Sequence, residues 1–339
     1  MNEYIKNLAL KKIANQKTIE KYKNCTPEHL KSVKYKEKYL QDIENCFFTI
    51  FLEKYRHKTQ DLEKYKSRPW QTCKNKFCHI CAYIKSKKTF VKSYLALEKM
   101  KADNIDFIGY HLTLTIKNPL AENLENDFLL MNKAFKNFIQ KFKELNEFLI
   151  GWQVGREVSQ SAKARENNEF HPHLHCLLLL KPDFTNPLNR HNKITQAEFR
   201  DKWKSACAYY KITAHQISFK KIKSRDDFID LYDEEKDIDP FLCAISEVAK
   251  YPAKPADIQK MSDQDFKVLN DALYGKRMFS TGGMLKKYLN KSKDDEILHI
   301  NNYELIETLI ANFDNNQFKT REMNTLENKI LETFNNKKV

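Results

Sequence analysis

Residues 170–180 read FHPHLHCLLLL, and the parity of this stretch decides the fold. Its apolar tail is too short for a helix and is bounded by Lys181-Pro182, so it reads as a buried strand. Side chains two apart on a strand point to one face. His173 and His175 therefore stand side by side while Leu174 and Cys176 turn to the other face. His171 continues the histidine parity, with Pro172 marking the entry into the sheet. Two imidazoles on a rigid strand are half of a metal site, and three of the ten histidines fall within these five residues.

Strand and helix patterns alternate on both sides of this stretch. From Phe107 the period is two, with Tyr110, Leu112, Leu114 and Ile116 on one face and His111, Thr113 and Thr115 on the other, which predicts a strand. Residues 121–148 carry Leu129, Leu130, Phe135, Phe138, Ile139, Phe142 and Leu145 at spacings that suit a long amphipathic helix. IGWQVGREV, 150–158, reads as a strand with close backbone contacts at its glycines. Thr195 and Glu198 form a capping-box pattern opening a helix toward Tyr210, and HQISFK from His215 reads as a fourth strand. Asp239-Pro240 supplies an N-cap and N1 proline for a helix running to about Tyr251. This order predicts an α+β domain with a largely antiparallel sheet.

The expected division is a basic, mostly helical region at 1–100 bearing a Cys-rich cluster, a catalytic domain at 101–290, and a helical tail at 291–339. The first hundred residues contain no glycine, and the tail places Leu305, Ile306, Leu309, Ile310 and Phe313 on one helical stripe. The chain has 339 residues, 59 Lys and Arg against 45 Asp and Glu, and a net charge of +14. Residues 1–100 hold 23 basic and 10 acidic side chains, so nearly all of the excess lies there. Such a basic third is either the footprint of a polyanion, nucleic acid above all, or a lysine-rich solvated face. With 41% hydrophobic and 31% charged residues, global disorder is excluded. No apolar run approaches the ~20 residues that span a bilayer, and the first residues lack an export pattern, so a cytoplasmic protein is expected.

A divalent ion needs more donors than two imidazoles, and the neighbouring strand offers Glu157. Two His and one carboxylate leave open positions, as a catalytic site requires. Downstream, ISEVAKYPAK places Glu247 one helical turn before Tyr251, with Lys250 and Lys254 flanking them. Pro252 disfavours helical geometry at Tyr251, which puts that tyrosine at a helix end or kink. Cys73, Cys78 and Cys81 have a zinc-type spacing but are one ligand short, with His57, Cys46 and His79 as candidates for the fourth, in that order. Cys25, Cys176, Cys207 and Cys243 read as core thiols.

Together YHLTLTIKN, GREVS, HPHLHCLLLL, EVAKYPAK and the close YGKRMFSTGGMLKKYL resemble the rolling-circle plasmid replication initiators of the His-hydrophobe-His (HUH) endonuclease class. The resemblance covers about residues 73–290 and fits the single-tyrosine branch with a glutamate four residues before the tyrosine. It implies an antiparallel sheet of RRM or ferredoxin-like type flanked by helices. It further implies a metal, Mg or Mn, on His173, His175 and Glu157, and attack on origin DNA by Tyr251, assisted by Lys250 and Lys254. Glu247 would serve at termination. A 5′-phosphotyrosine link, and a host helicase and a single-strand-binding protein as partners, are also implied. So is a zinc-bearing N-terminal region, since related initiators carry an additional upstream cysteine, for which His57 would substitute in this chain. Two rival classes remain. HPHLHCLL also matches the histidine-triad nucleotide hydrolases, and a non-catalytic zinc-dependent DNA-binding regulator would leave the histidines incidental. Tyrosine transposases and conjugative relaxases share the chemistry but not the position of Glu247.

Overall fold

The structure is a computed structural model that describes residues 2–25, 36–185, 194–222, 240–250, 252–291, 303–325 and 327. Tyr251 and the expected N-cap Asp239 lie outside the described residues. The elements in chain order are α1 (Asn2–Asn24), α2 (Lys36–Asn45), β1 (Thr49–His57), β2 (Glu63–Pro69), α3 (His79–Ala102), β3 (Ile108–Ile116), α4 (Leu124–Lys141), α5 (Lys143–Asn146), β4 (Leu149–Ser159) and α6 (Ala162–Glu166). They continue with β5 (His171–Leu180), α7 (Gln196–Tyr209), β6 (Ala214–Lys221), α8 (Pro240–Val248), α9 (Pro255–Lys260), α10 (Asp263–Leu273), β7 (Phe279–Gly282), α11 (Gly283–Lys291), β8 (Tyr303–Asp314) and β9 (Gln317–Arg321). The chain divides into two compact units: Met1–Lys23, Tyr35–Cys81 and Leu298–Val339 form one, Asn24–Lys34 and Ala82–Ile297 the other. Among the described residues no helix is long and apolar enough to cross a membrane.

The larger unit holds a five-stranded antiparallel sheet in the order β6-β3-β5-β4-β7. The expected α+β class with an antiparallel sheet between helices is borne out, and its first four strands form the β-α-β-β-α-β pattern of ferredoxin-like domains. Strand β5 lies at the centre because it is apolar on both faces over Leu177–Leu180, all fully buried. Its even-numbered side chains face α4 and α7, where Phe138 meets Phe142 and Trp203 edge to face, and Trp203 Nε1 donates to the Thr115 carbonyl at 3.0 Å. The capping box expected at Thr195 and Glu198 opens α7. On the other face Leu177 and Leu179 pack with Ala96, Met100, Ile245, Val248 and Leu285, from α3, α8 and α11. That face is apolar at the C-terminal end of β5 and carries the histidines at the other.

Register then fixes the neighbours of each histidine. His173 is opposite Thr115 on β3 and Glu157 on β4, and His175 is opposite Thr113 and Gly155. A Cβ on Gly155 would stand 1.9 Å from the Val248 carbonyl oxygen and 2.9 Å from its carbon. Only a bare Cα lets the end of α8 rest on β4 beside the histidines. Gly155→Ala is expected to destabilise the fold by about 3 kcal/mol or more, since backbone rather than a flexible side chain must move. A thermal melt with an unchanged midpoint would show that this close approach does not form.

The smaller unit departs from expectation. Residues 1–100 hold α1, α2 and most of α3, as a mostly helical region should, but also β1 and β2, and the tail expected to be helical carries β8 and β9; the four strands form one antiparallel sheet ordered β2-β1-β8-β9. The two central strands are paired on both sides, β1 meeting β8 from the far end of the chain. The apolar stripe expected on a tail helix belongs to β8 instead. Asp314 pairs with Gln317 across Asn315 and Asn316, both at positive φ, and this is a two-residue hairpin that needs no glycine.

Candidate active site and metal cluster

The histidine end of β5 gathers most of the expected residues. His175 Nε2 lies 3.2 Å from a Glu157 carboxylate oxygen, and the His173 and His175 rings are parallel within 9° with centroids 6.0 Å apart. Ser159 Oγ is 3.3 Å from His173 Nε2. From α8, Glu247 brings a carboxylate oxygen to 3.9 Å from His175 Nδ1 and forms an ion pair with Lys250. The expected helix reaches only to Val248, and Lys250 N still bonds the Glu247 carbonyl at 3.4 Å. Val158 N donates to the Pro252 carbonyl at 2.9 Å, which ties the chain after α8 to β4. Lys254 is exposed and heads α9 as its N-cap.

Burial sets the charge states. It pushes the His173 imidazole down to about 4 and that of His111 to about 3, with the neighbouring His175 adding to both. Burial opposes ionisation of Glu157 too, but the His175 hydrogen bond and nearby positive charge outweigh it and hold the carboxyl below its ordinary value. His175 Nδ1 is buried with no hydrogen-bond partner among the described residues. A neutral His173 imidazole, an ionised Glu157 carboxylate and the orphaned His175 ring nitrogen fit a divalent cation with open positions. Glu157, His173 and His175 do not form a tight cage, since among the described residues only four cysteines bring their ligand atoms within 4.8 Å of one another.

His111 is a site residue that the sequence does not single out. Its ring stacks on His175 at 5.9 Å and 19°, extending the row of His171, His173 and His175 across to β3. Parity alone places it with Thr113 and Thr115, and only the register of β3 with β5 puts that face beside the histidines. Unfolded histidines titrate near 6.5. The stability gained by keeping His111 and His173 neutral is whole above about pH 6.5 and is lost as the pH falls through about 4 toward 3. With chelator present, the urea midpoint is expected to drop across that window, and less so in His111→Leu. A flat midpoint would mean the imidazoles are already solvated.

The cysteine cluster is closed by Cys46, not by His57. Cys46, Cys73, Cys78 and Cys81 converge, with Sγ–Sγ distances of 3.4 Å for 46–81, 3.6 Å for 73–81 and 3.7 Å for 46–78. Tetrahedral zinc with Zn–S near 2.3 Å requires about 3.8 Å between sulfurs, so the four thiols fit a metal such as zinc. His57 sits at the end of β1, where its Nδ1 accepts from the Gln60 amide at 3.1 Å. The hairpin following β1 turns that imidazole to its own loop. Lys74 at positive φ and Asn75, whose side chain accepts from Phe77 N at 2.7 Å, form the turn that returns Cys78 toward Cys73.

The Replication protein family's model matches residues 64–332, and the chain belongs to that family. The resemblance to plasmid rolling-circle initiators is thereby borne out at the level of family. Among similar proteins, one named "Protein rep" from Bacillus amyloliquefaciens is 30% identical over 227 residues, covering 63% of this chain and 62% of that one, less than two thirds of its length. A "Protein rep" from Staphylococcus aureus is 28% identical over 63% of this chain and 82% of its own. Another, from Streptococcus pneumoniae, is 24% identical and covers 82% of this chain and 78% of its own. No solved structure matches the chain.

Proposed function

We propose that this protein initiates plasmid rolling-circle replication by nicking one strand of origin DNA with Tyr251. The observation that carries this is the meeting of the Glu157–His175 pair with the Glu247–Lys250 pair at the end of α8. In sequence Tyr251 follows Lys250, whose amide bonds back to Glu247, and precedes Pro252, whose carbonyl accepts from β4. A phenol with pKa near 10 is only about 0.1% ionised at pH 7, a cost of ~4 kcal/mol that Lys250 and Lys254 would partly offset. The phenolate oxygen would attack the scissile phosphorus as the bond to the 3′ oxygen breaks, leaving a 5′-phosphotyrosine and a 3′-hydroxyl that takes up a proton. Held by His173, His175 and Glu157, Mg or Mn would polarise the phosphate and orient it for in-line attack. Zinc at the cysteines, host helicase and single-strand-binding protein as partners, and a cytoplasmic setting complete the proposal.

The test is incubation with single-stranded origin oligonucleotides and Mg or Mn, followed by mass spectrometry of peptide-DNA adducts. An adduct at Tyr251 is the expected result, and one at another tyrosine would overturn the assignment. A histidine-triad hydrolase is disfavoured by the family match over most of the chain.

Glu247 is expected to act late, as the base that activates water to release the regenerated origin. Glu247→Ala should still nick and form the adduct but yield displaced strands longer than one plasmid unit. The alternative, a carboxylate that only holds Lys250 and the helix end, predicts slower nicking with unit-length product. Initial nicking rate compared with product length on a gel separates the two.

A further inference from the structure

The face of α1 that carries Lys12, Asn15 and Thr18, each three residues from the next, is buried against the cysteine cluster. Asn15 is fully buried, and its amide is held at both ends. The carbonyl accepts from His79 N at 2.7 Å, which fixes the amide orientation and leaves Nδ2 donating to Cys78 Sγ at 3.3 Å. Cys81 N approaches the same sulfur at 3.5 Å. Cys78 sulfur thus accepts from two N–H groups, as a thiolate does and a thiol seldom can. Lys12 is 6% exposed, and its Nζ donates to the carbonyl oxygens of Glu44 and Cys46, the latter at 2.7 Å. The Glu44 carboxylate, which also acts on Lys12, is paired with Lys23 at 2.8 Å, and neutral carbonyls and neutral thiols would leave the buried ammonium poorly offset. A divalent ion with four thiolates carries a net charge of −2, which would offset it.

We propose that Lys12 and Asn15 form the outer shell of a four-thiolate zinc centre, Lys12 offsetting its charge and Asn15 anchoring Cys78. This rests on the zinc reading of the cluster. The consequence is that the metal fastens α1 as well as the cysteine-bearing loop. Thr18 extends the contact, its Oγ1 lying 3.4 Å from His79 Nε2.

The experiment measures zinc content of the purified full chain by elemental analysis, then zinc affinity by competition with a chromogenic chelator. One zinc per chain is expected, and Cys46→Ala should lower it while His57→Ala should not. Lys12→Met and Asn15→Ala are each expected to weaken zinc binding about 10- to 100-fold, with Lys12→Arg restoring most of the loss. Cobalt-substituted Lys12→Met and Asn15→Ala should keep a thiolate-to-metal absorption band, which shows that the cluster has still folded. A full chain without zinc overturns both the zinc reading and this proposal. Zinc bound at unchanged affinity in both variants overturns the outer shell alone, and neither result touches the nicking chemistry.

Discussion

Tyr251→Phe is expected to bind origin DNA as the parent does and to lose nicking by roughly 10³-fold or more, because it removes the oxygen proposed to form the covalent intermediate. The substitution removes one oxygen and leaves the ring. The pairs of Glu247 with Lys250 and of Glu157 with His175 do not involve the residue replaced. Binding by gel shift and cleavage of a labelled strand would be read from the same samples. Normal cleavage by the variant would transfer the nucleophile elsewhere, and the fold description would stand.

His175→Ala is the second large effect expected. His175 is the residue that both carboxylates reach, Glu157 at 3.2 Å and Glu247 at 3.9 Å. Its removal takes away a proposed metal ligand and leaves Glu157, 4% exposed, without its hydrogen-bond partner. Cleavage should fall by at least about 10²-fold at any Mg or Mn concentration. Stability should also fall, by about 3 kcal/mol, since one member of a buried pair is stranded. Glu157→Gln separates these losses: it keeps the shape and a hydrogen bond, so it should fold normally yet require more metal. Equal metal requirements for Glu157→Gln and the parent would remove Glu157 from the ligand set.

The larger unit is readable from the sequence because its decisive features are local. Alternation along HPHLHCLLLL places the histidines on one face, and the glycines of IGWQVGREV mark the close approaches that Gly151 makes to Leu285 and Gly155 to Val248. His111 is hidden because its neighbourhood depends on strand register, which parity does not supply. Cys46 is hidden for a similar reason: it directly follows α2 in the short turn before β1, far from the Cys73–Cys81 run, and His57 lies nearer in sequence. The smaller sheet is not legible in the sequence as a whole because its central pairing, β1 with β8, joins segments at opposite ends of the chain.

That pairing bears on synthesis. His57 of β1 pairs with Tyr303 of β8, roughly 250 residues later. At a translation rate of roughly 5–20 residues per second, β1 leaves the ribosome tens of seconds before its partner exists. During that interval the nascent chain carries one uncovered strand edge, TIFLEKYRH, able to pair with another copy of itself. Its lysine, arginine and glutamate are the residue types that discourage such pairing. A C-terminal deletion before β8 would make the exposure permanent, with aggregation rather than lost chemistry as the outcome.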